Sequence, residues 1–318
     1  MKQEVIIGVD LGATKILSGM GTPAGQILQK ATTRTPEGRP EEVLDMIAGT
    51  IADLIRTART RQYSVRGIAA AVPGPLTFPE AVIENSPNLG WQRVEFKKEL
   101  SQRLGKPVVV DKDTNLAALG EYYYGQGEKY KDLLYITVST GIGGGLIIDG
   151  QIYHGHRGGG GEIGHMVIDP AGPECRCGRR GCLEALASGT AIALRLEKLI
   201  KAGRGRQIEI CGPGAEIAAP HLGAAARQGD SEAVEIMEEL SAHLARGIAN
   251  LVNIFDPPIV VMGGGVMEGL GDLLLEPIRT LTREQVFPLH RRDLQIEITR
   301  LGDDIGLYGC MAAIARGI

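Results

Sequence analysis

The stretch from Gly161 to Glu184 constrains this chain more than any other part of the sequence. It reads GEIGHMVIDPAGPECRCGRRGCLE and contains one histidine and three cysteines. Three thiols and one imidazole make a complete Cys3His ligand set for zinc, and the prolines and glycines between them favour an irregular backbone that can wrap an ion. Four protein ligands close the coordination shell, so the zinc is predicted to be structural rather than catalytic. The predicted ligands are His165, Cys175, Cys177 and Cys182.

Three other interpretations of these cysteines are open. They could be ordinary buried thiols, or two of them could form a disulfide and leave the third unpaired. A nucleic-acid-binding zinc knuckle would use Arg176, Arg179 and Arg180, but the loop offers no aromatic ring on which a base could stack. Zinc is favoured because three thiols within eight residues beside a loop histidine are hard to explain otherwise. The metal would then fix the flanking carboxylates, Glu162 and Glu184.

Composition limits the class of protein and its partners. The chain has 318 residues, enough for two domains, and its 43% hydrophobic and 23% charged residues are typical of a soluble globular protein. A net charge of -4 argues against a nucleic-acid partner, and no apolar run approaches the ~18 residues of a membrane span. The start, MKQEVIIGVD, is predicted to be a strand rather than a signal peptide. Five cysteines, three of them clustered, fit a reducing cytoplasm.

The first candidate binding element is a strand–turn–strand unit at the start of the chain. Residues 4–10, EVIIGVD, are predicted to form a buried strand that ends at Asp10 and turns into a second strand. Gly12 would let backbone amides approach phosphate oxygens, and Thr14 adds a hydroxyl donor. Asp10 could hold a magnesium ion through water. A plain hairpin with an exposed aspartate explains the same residues.

The layout of the opening unit recurs later in the chain. Residues 133–149 are also predicted to form strand, glycine turn and strand, with GIGGG at 141–145. The turn is not a Walker loop, because no lysine follows, and it does not open onto a helix as a Rossmann turn would. Two such units suggest two related lobes that grip one phosphate chain. A third glycine segment, GGG at 263–265, follows a predicted strand. It could be a flat backbone surface against which adenosine lies, or a tight turn from strand to helix.

Polar residues at strand ends supply further candidates. Residues 107–115, PVVVDKDTN, are predicted to form a strand that runs into a helix, and ligands gather at such ends in α/β folds. Asp113 there is either functional or an acidic helix cap. Gly74, after the predicted strand 66–72, and Asn88 suit a ligand or an ordinary turn. Helical spacing is evident at 41–60, 183–201, 231–255 and 304–316.

Taken together, the motifs resemble the ROK family of bacterial sugar kinases and transcriptional repressors. The resemblance is carried by EIGH (162–165), CRCGRRGCLE (175–184), DLGATK (10–15), STGIGGG (139–145) and MGGGV (262–266). It implies an α/β actin-like ATPase (ribonuclease H-like) fold with two α/β domains around a cleft. The smaller domain is expected at 1–115 with 301–318, and the larger one, with the zinc loop, at 116–300.

The resemblance also implies an activity and a set of cofactors. The expected reaction is ATP-dependent phosphorylation of a hexose, at O6 of glucose, with ATP, Mg²⁺ and structural Zn²⁺ and with Asp113 as the catalytic base. The matching residues expected to bind the sugar are Gly74, Asn88, Lys112, Asp113, Glu162, His165 and Glu184. Those expected to bind ATP are Asp10, Gly12, Ala13, Thr14, Lys15, Thr140, Gly141, Gly143, Gly144, Gly264 and Gly265.

Alternatives within the family are a kinase for another hexose (allose, fructose, mannose or an N-acetylated hexosamine) and a non-catalytic sugar-sensing regulator. The repressors of the family carry an additional N-terminal helix-turn-helix, whereas this chain begins with the first strand, so a kinase is expected. A homodimer or homotetramer is expected as the assembly.

One residue departs from the family pattern. The kinases usually have Asn-Asp where this sequence has Lys112-Asp113. An asparagine would contact a sugar hydroxyl as donor and acceptor, whereas Lys112 can only donate. Its positive charge would also favour the ionised form of Asp113 and weaken it as a base. The substitution bears on sugar identity and on catalytic strength.

Overall fold

The computed structural model describes residues 2–86, 89–204 and 218–317. The chain divides into two compact units. Unit 1 comprises Met1–Asp132, Gly145–Gly161 and Asp303–Ile318, and unit 2 comprises Leu133–Gly144 and Glu162–Gly302. The domain boundaries expected from the sequence, 1–115 with 301–318 and 116–300, remain a prediction.

Strands and helices alternate along the chain. The strands are β1 (Glu4–Leu11), β2 (Lys15–Gly21), β3 (Ile27–Arg34), β4 (Ser64–Val72), β5 (Ile83–Ser86), β6 (Trp91–Val94), β7 (Val109–Lys112), β8 (Leu133–Val138), β9 (Ile142–Ile148), β10 (Gln151–Ile152), β11 (Ile259–Gly263) and β12 (Gln295–Ile298). The helices are α1 (Pro40–Thr60), α2 (Phe96–Leu104), α3 (Asp113–Tyr124), α4 (Leu183–Ala187), α5 (Gly189–Lys201), α6 (Ala219–Arg227), α7 (Ser231–Phe255), α8 (Gly265–Gln285) and α9 (Ile305–Arg316), with short 3-10 turns at Ile163–His165, Pro288–Arg291 and Gly302–Asp304.

Unit 1 is built on a five-stranded sheet in the order β3-β2-β1-β4-β7. Strands β1, β2 and β3 are antiparallel, β4 pairs with β1 in parallel, and β7 pairs with β4 in parallel. Strand β1 reads EVIIGVDL and is buried along almost its whole length, as expected of a strand covered on both faces. Helix α1 buries its apolar stripe, including Leu44, Ile47 and Ile51, in the core.

Helix α9 belongs to unit 1 and packs closely on α3. The close approach depends on a glycine in each helix. A Cβ on Gly120 would lie 2.9 Å from the Gly309 amide nitrogen, and a Cβ on Gly309 would overlap the Leu116 carbonyl oxygen. This packing of backbone against backbone fixes the position of α3, the helix that begins with Asp113.

The second five-stranded sheet has the order β10-β9-β8-β11-β12. Strands β8, β11 and β12 are parallel, and β9 and β10 form an antiparallel hairpin. The first three strands of each sheet follow one another in sequence and the next two add in parallel, so the two-related-lobes prediction agrees with the topology. Helices α7 and α8 pack together in unit 2.

The helical spacing read from the sequence corresponds to real helices, with one interruption. The patterns at 41–60, 231–255 and 304–316 become α1, α7 and α9. The pattern at 183–201 is broken at Ser188, whose backbone is extended and whose hydroxyl accepts the Ala191 amide at 3.2 Å to cap α5. None of the helices within the described residues has the length and apolarity that crossing a bilayer requires.

The α3–α9 crossing yields a stability prediction with a built-in contrast. Gly309→Ala is expected to destabilise the protein by about 1–3 kcal/mol, because its methyl group would overlap the α3 backbone. Gly269→Ala in α8 is expected to stabilise it by about 0.4–1 kcal/mol, because that position is exposed and has open space around its Cβ. Urea denaturation measures both. Midpoints that shift in the same direction would contradict the assigned packing.

Candidate active site and metal centre

Two carboxylates lie at neighbouring strand and helix ends in unit 1. Asp10 is near the end of β1, and Asp113 opens α3. Burial raises the pKa of Asp10 to about 7, the charge of Asp113 adds to this effect, and the Lys15 ammonium opposes it. The Asp10 carboxylate packs against Gly306, at the start of α9, where a Cβ would overlap it. Such an oxygen-donor centre suits a hard divalent cation such as magnesium.

The β1–β2 turn exposes the predicted phosphate-binding residues. The Gly12 amide donates to the Lys15 carbonyl at 2.9 Å, so the turn is tight, and Ala13 and Thr14 are exposed at its tip. Thr35, the residue after β3, stabilises the turn, because its amide donates to the Thr14 carbonyl at 3.0 Å and its hydroxyl to the Gly12 carbonyl at 2.8 Å. The turn is therefore an ordered, solvent-facing element.

Lys15 has a carboxylate partner that the sequence did not indicate. Its ammonium lies 2.8 Å from an Asp303 carboxylate oxygen, and both side chains are largely exposed. An ion pair of this kind contributes about 0.2–1 kcal/mol or less, so an anionic ligand could compete for the lysine.

The β7–α3 junction (Asp111–Asp113) is the most densely hydrogen-bonded part of the candidate site. One oxygen of buried Asp111 accepts the Lys112 amide at 2.6 Å and the Asn115 side-chain amide at 2.9 Å, and the other lies 2.7 Å from His154 Nε2. The Asp113 carboxylate accepts the Thr114 amide at 2.7 Å. The junction thus holds the Asp113 side chain at the positive end of α3, where negative charge is stabilised.

Lys112 is buried and its ammonium is hydrogen-bonded within unit 1. Only 4% of the residue is exposed, and Nζ donates to the Gly160 carbonyl at 2.8 Å. Its stem lies over Gly74, because a Cβ there would be 2.9 Å from Lys112 Cδ. The Lys112 side chain therefore occupies space next to Gly74, where the sequence suggested a ligand. Asn88, the other predicted sugar ligand in this region, lies outside the described residues.

In unit 2, the β8–β9 turn is held by the α4–α5 segment. The Ser139 amide donates to the Gly141 carbonyl at 2.9 Å, and the Ile142 amide donates to a Glu184 carboxylate oxygen at 2.9 Å. The Thr190 hydroxyl donates to the Thr140 carbonyl at 2.8 Å. Glu184, predicted from the sequence as a sugar ligand, therefore also orders the glycine turn.

Other glycines predicted to bind ATP have different surroundings. Gly143 is half-buried, and Gly144 is buried in contact with Ile163. Gly264 has a φ of 88° and lies against the Val138 carbonyl, so it makes the tight turn between β11 and α8. Gly265 begins α8, and a Cβ added there would meet no atom within 4 Å.

The four predicted metal ligands come together in unit 2. The ligand atoms of His165, Cys175, Cys177 and Cys182 all lie within 4.8 Å of one another. Cys175 Sγ is 3.7 Å from His165 Nδ1, and Cys177 Sγ is 3.6 Å from Cys182 Sγ. Three soft thiolates and an imidazole on an irregular loop make a donor set that fits zinc.

The loop shapes the chemistry of its thiols. The Arg179 backbone amide lowers the pKa of Cys177 to about 6. Burial raises the pKa of Cys175 and raises that of Cys182 to about 12. A cation bound by three thiolates would therefore displace protons from the two buried cysteines.

The comparisons with known proteins agree with this architecture. The sequence model of the ROK family matches residues 6–317. The chain belongs to the ROK family. It is 35% identical over 316 residues to a glucokinase of Thermotoga maritima, an alignment that covers 98% of each chain.

A solved ROK glucokinase from Streptomyces griseus, in complex with glucose and AMPPNP, resembles this ROK protein throughout. The TM-score is 0.84 at 34% identity, and the match covers 99% of this chain and 100% of the other. The predicted actin-like ATPase fold is therefore confirmed. The xylose repressor of Caldicellulosiruptor bescii is 31% identical, covering 97% of this chain and 77% of the repressor.

The sequence interpretation of this ROK protein missed several residues of the site. Gly160 and Asp303 bind the predicted site residues Lys112 and Lys15, and His154 binds Asp111, next to Lys112. None of the three belongs to a motif that the sequence analysis used. The histidine and glycine lie in YHGHRGGGG (153–161), directly before the EIGH motif, so the glycine-rich composition was the available signal.

The raised pKa of Asp10 predicts a pH-dependent stability difference. An aspartate whose folded pKa lies near 7, above its unfolded value of 3.8, destabilises the fold progressively as pH rises between those values. Without divalent metal, the free energy of unfolding of Asp10→Asn relative to that of the unmodified protein should therefore rise by on the order of 2 kcal/mol between pH 5 and pH 7. Above pH 7 the difference should stay constant.

Urea unfolding at several pH values measures this difference, with Asp293→Asn at an exposed position as control. An Asp10→Asn difference that stays constant with pH, or follows the control, would refute the raised pKa of Asp10.

Proposed function

We propose that this ROK protein is an ATP-dependent sugar kinase that phosphorylates glucose at O6. The proposal rests above all on the β7–α3 junction, which fixes the Asp113 carboxylate at the start of α3 beside Asp10. The glucokinase relatives match over nearly their full length, and the Streptomyces griseus structure was solved with glucose and an ATP analogue. Both findings support the same reaction for this chain.

Asp113 acts as general base in the proposed mechanism. Its carboxylate accepts the proton of the sugar hydroxyl as that oxygen attacks the γ-phosphorus of ATP, the bond to the bridging oxygen breaks, and ADP leaves. The Thr114 amide and the N-terminus of α3 stabilise the carboxylate as an anion. Lys112 precedes Asp113 in the chain, and its buried ammonium donates to the Gly160 carbonyl.

The nucleotide is proposed to bind at the glycine turns. The amides of Gly12–Thr14 and of Thr140–Gly144 would hold the phosphates, Lys15 would exchange Asp303 for a phosphate oxygen, and Gly264 and Gly265 would lie against the adenosine. The exposed tip of the β1–β2 turn and its bracing by Thr35 support this role. Asp10 would hold Mg²⁺ through water, and the ion would neutralise charge on the phosphates.

The residues proposed to bind the sugar are the ones that the family resemblance implies. They are Gly74, Asn88, Lys112, Asp113, Glu162, His165 and Glu184. Their hydrogen-bonding groups would recognise the remaining hydroxyls. One Glu184 oxygen already accepts the Ile142 amide, which orients the carboxylate before any ligand binds.

The Cys3His set is proposed to hold a structural Zn²⁺. The ion would neutralise the thiolates and hold the loop, while His165 Nδ1 faces the cysteine cluster. The other ring nitrogen of His165 could then turn to a sugar hydroxyl, so that zinc would affect sugar binding indirectly.

A sugar-sensing regulator is the second candidate, favoured by the 31% identity to a xylose repressor. Both candidates bind a sugar, so the discriminating property is turnover. ADP release measured with glucose, mannose, fructose, allose and N-acetylated hexoses decides between them and identifies the acceptor. Sugar binding with no ADP release in the presence of any of these acceptors would show that the protein is a sugar-sensing regulator.

The catalytic role of Asp113 has a direct test. Asp113→Asn keeps an oxygen that can accept the Thr114 amide but removes the base, so kcat is expected to fall by about 10²–10⁴-fold while glucose affinity stays close to that of the unmodified protein. ADP release and calorimetric glucose binding measure the two quantities. Full turnover in this variant would remove Asp113 as the base.

The proposed zinc role predicts a different kinetic phenotype. Cys177→Ser should lose the metal and raise the KM for glucose more than that for ATP, because the loop carries proposed sugar ligands. Metal analysis and steady-state kinetics measure both effects. Arg176→Ser, at an exposed position in the same loop, is the matched control and should retain the ion. Normal glucose affinity in metal-free Cys177→Ser would refute the link.

We further propose a homodimer or homotetramer located in the cytoplasm, where ATP and hexoses are available. Sedimentation of the purified chain and fractionation of the source cells test these two points.

A further inference from the structure

We propose that His154 is a positioning residue for the phosphoryl-transfer reaction, acting on Asp113 through Asp111. This inference rests on the proposed kinase function and goes beyond its set of substrate-binding residues. His154 follows the short strand β10, and Asp111 is 43 residues earlier in the chain.

The contact between His154 and Asp111 is short and largely enclosed. The Nε2–Oδ2 distance is 2.7 Å, and the side chains are 14% and 7% exposed. An ionised carboxylate can only accept, so Nε2 is assigned as the donor. The imidazole ring also stacks on Phe78, with ring centroids 3.6 Å apart and planes inclined by 16°. Asp111 and Phe78 together fix the ring in one orientation.

Asp111 connects this histidine to the reacting group. Its other oxygen accepts the Lys112 amide and the Asn115 side-chain amide, on either side of Asp113. The Asp111 carboxylate therefore makes hydrogen bonds to three donors, two of which belong to the turn that carries the base. A shift of the carboxylate would be transmitted to the start of α3, and a displacement of about 1 Å at a reacting group can cost 10²-fold in rate.

The segment after His154 is attached independently of this contact. The His154 carbonyl accepts the Gly160 amide at 2.8 Å, and the Gly160 carbonyl accepts Lys112 Nζ at 2.8 Å. Gly158 packs against the backbone of Leu76 and Phe78. Removing the imidazole donor should therefore leave the loop in place and act mainly on Asp111.

His154→Leu is the primary test, because leucine has a similar volume and can still cover Phe78 but cannot donate. With glucose and ATP, kcat is expected to fall by about 10–100-fold, with both KM values changed less than about threefold. His154→Gln, whose Nε2 can donate at a similar reach, should recover most of the lost kcat. His156→Leu, an exposed histidine two residues away, is the matched control and should keep the unmodified rate.

Thermal unfolding of each variant separates loss of rate from loss of fold, and a double variant tests the route. If His154 acts through Asp111, His154→Leu with Asp111→Asn should lower kcat no further than the more damaging single change. Multiplied effects would contradict that route.

Two outcomes would overturn the inference separately from the proposed function. If the unmodified protein is active and His154→Leu keeps its kcat, the positioning role alone is refuted. The same holds if His154→Gln has no higher kcat than His154→Leu. An unmodified protein that phosphorylates no hexose would refute the kinase assignment and the positioning role with it.

Discussion

The buried carboxylate of Asp111 is the interaction on which the candidate active site depends. It accepts hydrogen bonds from a backbone amide, a side-chain amide and an imidazole, all in unit 1. A buried carboxylate without such donors would be strongly destabilising. These three hydrogen bonds therefore fix the end of β7, the first turn of α3 and the segment after β10 relative to one another. Asp113, in that first turn, is positioned by the same arrangement.

Unit 2 reaches local order by a different means. Residues 162–182 contain one short 3-10 turn and no strand, so their backbone is held by isolated hydrogen bonds, such as the one from the Cys175 amide to the Arg179 carbonyl at 2.7 Å. A metal bound by four side chains would supply the stability that a loop of this kind cannot draw from a core. Glu184 then links the end of the loop to the β8–β9 turn.

The elements and the clustering of the four candidate metal ligands were predictable because their signals are local. The apolar spacing of α1 and the continuous burial of β1 are properties of consecutive residues, and the Cys3His set lies within one loop. By contrast, His154 binds Asp111 across 43 residues, Lys112 binds Gly160 across 48, and Glu184 binds Ile142 across 42. No periodicity encodes such pairs, because the fold alone decides which polar groups meet.

The interruption at Ser188 has a related cause. The apolar spacing of 183–201 is helical throughout, yet the Gly189 amide donates to the Ser139 carbonyl at 2.7 Å and the Thr190 hydroxyl to the Thr140 carbonyl. These hydrogen bonds to the glycine turn compete with a continuous helix. The Ser188 cap on α5 lowers the free-energy cost of the break. Sequence periodicity reports the packing of side chains on the core. It contains no information about backbone groups that bind a neighbouring turn.

The burial of Lys112 has a related explanation. Its four-carbon stem packs over Gly74, and its ammonium donates to the Gly160 carbonyl, so both the apolar and the charged part of the side chain have a partner. A shorter side chain such as asparagine could not reach both, and the sequence pattern does not reveal these contacts because they depend on the fold.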